Sequence, residues 1–266
     1  MKFMNSLKYM LLPVLIFVMA ACGNGDTADK SGEAAEDVVE GTITVSAAAS
    51  LVDALEEVSE LFNEKYPDVQ VDFNFGGSGA LMQQILQGAP ADLFFSANES
   101  HFEEVVDEGY IDEENTVDLL RNEIVLVVPE DSSTVTSFDD LENAESIGIG
   151  NPESVPAGEY SMEAFENMNI LEELESKFIF ATDVRQVLNY VETENVDAGV
   201  VYHTDALTSD GIEVVDTAPE DSHSPVVYPL GTLNGTDNPK AQRAFYEFVQ
   251  SEEAGEVFND YGFIIE

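Results

Sequence analysis

The sequence predicts an α/β protein of two lobes, each a mixed, mostly parallel sheet flanked by helices, with a ligand cleft between the lobes. Three observations predict it. From Thr42 onward short β-rich runs alternate with amphipathic stretches; the same alternation restarts after one fully apolar strand, Glu123 to Pro129; and a late extended run, Val226 to Leu233, is followed by two more helical stretches. Strand–helix alternation calls for parallel pairing with helices packed on the sheet, and a chain that leaves such a unit and later returns makes two lobes joined by crossing strands.

In order, Thr42–Val45 reads as a strand, and Leu51, Ala54, Leu55, Val58, Leu61 and Phe62 then recur at spacings of three and four, one apolar helical face. Val69–Phe75 alternates as a half-buried strand. A helix from about Ala80 to Gln87, a strand at Asp92–Phe95 and a helix from Glu99 to Glu108 complete the first unit. The second unit reads as strands at Ile147–Gly150, Phe178–Phe180, Ala198–Tyr202 and Ile212–Val215, with helices near Gly158–Met168 and Val184–Glu194. Helices over Pro239–Gln250 and Glu252–Tyr261 close the chain. The expected lobes are therefore residues 41–122 plus 231–266, and residues 123–230.

The N-terminus has a different character. Lys2 and Lys8 precede 13 apolar residues, Tyr9 to Ala21, ending in Met19-Ala20-Ala21-Cys22. Thirteen is short for a membrane span, which needs about 20 residues. Residues 1–21 read as a lipoprotein signal peptide with Cys22 as the lipidated residue; a plain secretory signal is the alternative. Residues 22–40, rich in Gly, Asp, Glu, Ser and Ala, read as an acidic tether. The protein is thus expected outside the cytoplasm, anchored by lipid to the outer face of the cell membrane.

Among 266 residues, 54 Asp and Glu face 9 Lys and Arg, a formal charge of −45. Without Lys2 and Lys8, 7 basic residues remain against the same 54 acids, or −47. Such a chain cannot neutralise phosphates and is no nucleic-acid binder. With 44% hydrophobic residues it still has a core to bury, so the acid excess is surface composition, suited to a salty or alkaline medium. The single cysteine excludes an internal disulfide and a cysteine-based zinc cluster.

No phosphate loop, GxGxxG, HExxH or Cys/His cluster is present, and no cofactor is expected. Gly76-Gly77-Ser78-Gly79-Ala80 approximates a nucleophile elbow with Ala for the last Gly; a serine hydrolase would need His101, His203 or His223 to approach Ser78. More informative are four loops of small residues between a strand end and a helix start: Ala47-Ala48-Ala49-Ser50, Phe75-Gly76-Gly77-Ser78-Gly79, Pro156-Ala157-Gly158 and Thr182-Asp183-Val184. Helix starts carry unpaired N–H groups and partial positive charge, so several converging would hold an oxyanion without a formal cation. Each also has an ordinary structural reading. Ser50-x-x-Asp53 and Asp183-x-x-Gln186 fit capping boxes, Ser78 fits a glycine-rich turn, and Tyr202 fits a core position with a wet hydroxyl.

The stretches TVSAAASLVDAL (44–55), GAPADLFFSA (88–97), NPESVPAGEY (151–160), ATDVRQVL (181–188), GVVYHTDA (199–206), EDSHSPVVYP (220–229) and FNDYGFIIE (258–266) together resemble the molybdate-binding proteins of bacterial ABC importers over nearly all of Thr42 to Glu266. The resemblance implies a periplasmic-binding-protein fold, type II-like, and a non-enzymatic, monomeric protein that delivers molybdate to an ABC permease in the cytoplasmic membrane, with tungstate competing. It implies that the dianion is held by the hydroxyl and amide groups of Ser50 and Ser78, the backbone N–H of Ala157 and of Val184, and the phenol of Tyr202. Another tetrahedral oxyanion such as sulfate is the alternative ligand. Arg185 is expected to be a surface or salt-bridge residue. Because the net charge repels a dianion, affinity or association rate is expected to rise with added inert salt, measured by titration across ionic strengths.

Overall fold

The computed structural model describes residues 38–266; the signal segment, Cys22 and the tether up to residue 37 lie outside them. The elements in chain order are β1 Gly41–Ala48, α1 Val52–Lys65, β2 Val69–Gly76, α2 Ser78–Leu86, β3 Leu93–Phe95, α3 Glu99–Asp107, β4 Ile111–Asn122 and β5 Ile124–Pro129. Then come β6 Ile147–Gly150, α4 Pro156–Asn167, α5 Leu171–Leu174, β7 Phe178–Ala181, α6 Val184–Glu192, β8 Ala198–Tyr202, α7 His203–Ala206, β9 Ile212–Thr217, β10 Val226–Leu233, α8 Pro239–Val249, α9 Glu252–Asp260 and β11 Ile264–Ile265.

Two sheets form, ordered β11-β4-β10-β3-β1-β2 and β7-β6-β8-β5-β9, each flanked by helices. Both are mixed, as expected, but not mostly parallel. The parallel pairs are β1 with β2 and β3, and β6 with β7 and β8; the other pairings, through β4, β5, β9, β10 and β11, are antiparallel. The reason is topological: the long strands that carry the chain between sheets enter without a helical crossover, and only helical crossovers enforce parallel pairing. One crossing is the single residue Glu123 between β4 and β5; the return runs from the end of β9 at Thr217 to the start of β10 at Val226. All of β10 pairs within the six-stranded sheet, Val226 opposite Asn122 and Leu230 opposite both Val117 and Phe95. Residues Val226–Leu230, expected in the second lobe, thus lie in the six-stranded sheet with the rest of β10.

The helices form where the apolar period predicts. α1 buries Ala54, Leu55, Val58 and Phe62, and Phe62 meets Phe245 and Phe248 of α8 edge-on at 5.0 and 5.5 Å. Each fully buried Leu, Val or Phe contributes about 1.5–3 kcal/mol, enough to dock an acidic helix whose other face repels itself. In the second lobe α6 buries Val184, Val187, Leu188 and Val191 on β6 and β8, and Gly148 and Gly199 keep those strands bare beneath Val187 and Val191. This packing fixes the starts of α1, α2, α4 and α6 at the strand ends that face the opposite sheet.

Candidate functional site

The structure brings Ser50, Ser78, Ala157, Val184 and Tyr202 to the wall of one cavity, together with Ala48, Ala49, Gly76, Gly77, Ala97, Val155 and Pro156. No charged side chain lines it. The space among these atoms, its solvent-open part included, is about 190 Å³, so at most a small solute without its hydration shell fits.

Each wall residue arrives by a different local device. Ser50 lies in a 3-10 turn, Ala49–Leu51, that joins β1 to α1, and it is buried. It does not cap α1: Leu51 occupies the cap position and no side chain accepts there, so the expected Ser50-x-x-Asp53 box is not formed. The extra 3-10 turn moves Ser50 inward, where its Oγ lies 2.9 Å from the Tyr228 hydroxyl, and leaves Asp53 to pair with Arg185 instead. Ser78 is the first residue of α2 and fully buried; its Oγ accepts from the Ala97 N–H at 2.9 Å, which leaves its own proton free for the cavity.

From the other lobe, Pro156 and Ala157 open α4, Pro in the first-turn position where its missing N–H costs nothing. Asp183 caps α6 by accepting from the Gln186 N–H at 2.9 Å, and Gln186 Oε1 accepts from the Thr182 N–H at 2.8 Å, so this box reaches back one residue further than expected. Capping of this kind leaves the Val184 N–H at the exposed end of the helix dipole. Tyr202 ends β8 at 2% exposure, and its hydroxyl has no hydrogen-bond partner. Burial holds that phenol well above its ordinary pKa, so it remains a neutral donor.

The lobes meet around the cavity. Gly79 N–H donates to Ser154 O at 3.1 Å, and a Cβ on Gly77 would lie 2.6 Å from that same carbonyl, so only glycine permits this approach. Asn98 Nδ2 donates to Glu159 Oε2 at 3.2 Å beside it. No hydrogen bond joins Ser78 to a histidine among the described residues.

Sequence reasoning missed two features behind the wall. Arg185 is an ion-pair residue as expected, but its partners are the fully buried Asp205, at 2.7 Å, and Asp53 across the cleft. Burial pushes the Asp205 carboxyl up to about 7 despite the Arg185 charge. Behind Ser50, Asn122 and Tyr228 form a buried hydrogen-bonded pair. Neither feature has a local spacing signal, since their partners are 20 to 178 residues apart in sequence.

An uncharged cavity between two sheets, walled by helix starts and small residues, is what a solute-binding protein presents, and the sequence profile of the family described as bacterial extracellular solute-binding protein matches residues 43–264. The chain belongs to that family. Among relatives of this solute-binding protein, YvgL of Bacillus subtilis, described as a candidate ABC transporter substrate-binding lipoprotein, is 50% identical over 85% of this chain and 87% of its own. The molybdate-binding protein ModA of Escherichia coli is 40% identical over 85% of this chain and 90% of its own. The periplasmic molybdate-binding protein of Azotobacter vinelandii shares the fold, with a TM-score of 0.76 at 18% identity over 84% of this chain and 99% of that one. No helix among the described residues is long and apolar enough to cross a membrane.

Proposed function

We propose that this solute-binding protein captures molybdate, with tungstate as a competitor, and delivers it to an ABC permease without chemical change. The observation that carries the reading is the neutral cavity: its wall has no cation and no carboxylate, yet helix starts from both lobes and one unpartnered phenol face it. Ser50 and Ser78 donate through hydroxyl and amide, Ala157 and Val184 through the backbone, and Tyr202 through its phenol. A hydrogen bond to a charged group is worth roughly 1.5–3 kcal/mol net, so five to seven of them support micromolar or tighter binding after the cost of closure.

The same wall selects by protonation. A carboxylate could accept the proton of a protonated anion, and none is present, so an oxyanion that carries no proton is preferred. Discrimination against sulfate rests on cavity size, worth a few kcal/mol at most. The relatives' names support the ligand and the permease partner. The anchor belongs to the same proposal: Cys22, behind residues 1–21, would carry the lipid, and residues 22–40 would tether a monomeric binding unit to the outer face of the membrane, its lobes residues 41–122 with the C-terminal return and 123 up to that return.

Thermal melting of the protein with molybdate, tungstate, sulfate and phosphate tests this. A ligand at about 100 times its dissociation constant stabilises by roughly 2.7 kcal/mol. A rise in Tm with molybdate and tungstate, small or absent with sulfate and phosphate, is the expected result; no rise with any of the four would overturn the reading.

A further inference from the structure

Ser50 hydroxyl is not free to choose its role. The Glu123 N–H donates to Asn122 Oδ1 at 2.9 Å, which fixes the Asn122 amide so that its Nδ2 faces the other way. Nδ2 then donates to Thr204 Oγ1 at 2.8 Å and to the Tyr228 oxygen at 3.2 Å. Tyr228 is fully buried, with its hydroxyl against Ser50 Oγ at 2.9 Å. Either hydroxyl could donate in this contact, but a phenol that already accepts from Asn122 has Ser50 Oγ as the acceptor for its own O–H, and the Ser50 O–H is then left for the cavity.

We propose that this relay, from the Glu123 backbone through Asn122 and Tyr228, makes Ser50 an obligatory donor, so that Asn122 and Tyr228 are positioning residues that select for anions without a proton. This rests on the oxyanion reading of the cavity. An anion bearing a proton needs an acceptor somewhere in its shell, and a Ser50 that already accepts from Tyr228 and gives its own O–H to the anion serves that proton less well than one with both lone pairs open. The relay starts at the crossing between lobes and takes in Thr204 of the second lobe, so the polarity of Ser50 is set only when β4, β5, α7 and β10 are assembled. A buried polar partner that is wrong by one proton discriminates strongly, by orders of magnitude where the site is rigid.

The polarity can be reversed. In Asn122→Asp the carboxylate takes the place of the amide donor; Tyr228 then donates to Asp, its oxygen accepts from Ser50, and Ser50 turns a lone pair to the cavity. In Tyr228→Phe the relay is cut without added charge, and Ser50 can turn either way, while the ring keeps its edge-on contact with Phe263 at 5.4 Å. The experiment measures displacement of molybdate by sulfate and by phosphate at about pH 8.5, where phosphate is a dianion with one proton. These two competitors are nearly the same size and differ by that proton, so added charge cancels in their ratio.

The expected result is a sulfate-to-phosphate preference that falls at least about tenfold in Asn122→Asp and about threefold in Tyr228→Phe, with molybdate weakened in both. Loss of both anions in equal proportion in the two variants would show a merely structural role and overturn the relay. A wild-type protein that binds none of the three anions would overturn the oxyanion reading itself, and the relay with it. Melting of each variant confirms the fold, and Tyr228→Phe alone decides the matter if Asn122→Asp does not fold.

Discussion

The two lobes approach the same cavity with different chemistry. The first lobe offers side-chain hydroxyls already hydrogen-bonded within it, Ser50 to the Tyr228 hydroxyl and Ser78 to the Ala97 N–H. The second offers backbone amides at the starts of α4 and α6 and a Tyr202 hydroxyl with nothing bound to it. The difference shows that hydroxyls in the first lobe are tied into its packing, whereas the groups of the second are presented by two helix starts and the end of β8 with no hydrogen bond to the phenol. Binding and stability should therefore separate in the second lobe and not in the first.

Ser78→Ala is expected to have the largest effect, because it removes a proposed donor to the ion and leaves the buried Ala97 N–H without its acceptor. Stability should fall by about 1–3 kcal/mol and affinity by roughly 10- to 100-fold, read by urea unfolding and titration calorimetry. Val184→Pro tests the other side. Proline is favoured at the first position of a helix, so the amide disappears at little cost to α6; affinity should fall roughly tenfold or more with stability changed by about 1 kcal/mol. An equal loss of stability in both variants would erase the contrast between lobes.

Tyr202→Phe sharpens it further. Since the hydroxyl is buried without a partner, its removal should leave the ligand-free protein as stable or more so, by up to about 1 kcal/mol, while molybdate binding weakens about tenfold. A destabilised ligand-free variant would mean that the phenol serves the fold.

The smallest effect concerns Asp205, behind Arg185. Its folded carboxyl, pushed to about 7 from 3.8, holds a proton that the unfolded chain has already released. The folded state binds more protons between those two values, so this group's contribution is present below about pH 4 and declines as pH rises toward 7. Asp205→Asn should remove that decline, and the difference in urea midpoint between wild type and variant should shrink or change sign from low to neutral pH. A difference independent of pH would show that Asp205 titrates normally. The pair cannot serve the ion directly, because Arg185 is committed to Asp205 and Asp53, which keeps formal charge out of a cavity lined by neutral donors.

Elements built on local rules were legible without coordinates. β6, β8 and β10 fall where their apolar runs predict, and α1 and α6 follow their three-and-four spacing, because a strand or helix face needs only its own side chains to declare which side is buried. β4 was not legible. Its segment Ile111–Asn122 is acidic and mostly exposed at first, and it is a strand because β10 and β11 pair with it on either side. Ser50 illustrates the same limit: the pattern Ser-x-x-Asp is a capping signal by local rules, and a single 3-10 turn gave the serine to Tyr228 and the aspartate to Arg185.

By itself, then, the sequence determined the alternating α/β grammar, the four small-residue loops and the family resemblance that named Ser50, Ser78, Ala157, Val184 and Tyr202. Tertiary structure decided that those five share one uncharged wall, that antiparallel pairings are at least as common as parallel ones in the sheets and that β10 belongs to the first of them. It also decided the partner of the Ser50 hydroxyl and the burial of Asp205. The physical reason is range: periodicity and capping act within a few residues, whereas hydrogen-bond polarity and desolvation depend on partners such as Tyr228, 178 residues from Ser50, that only the folded chain brings within reach.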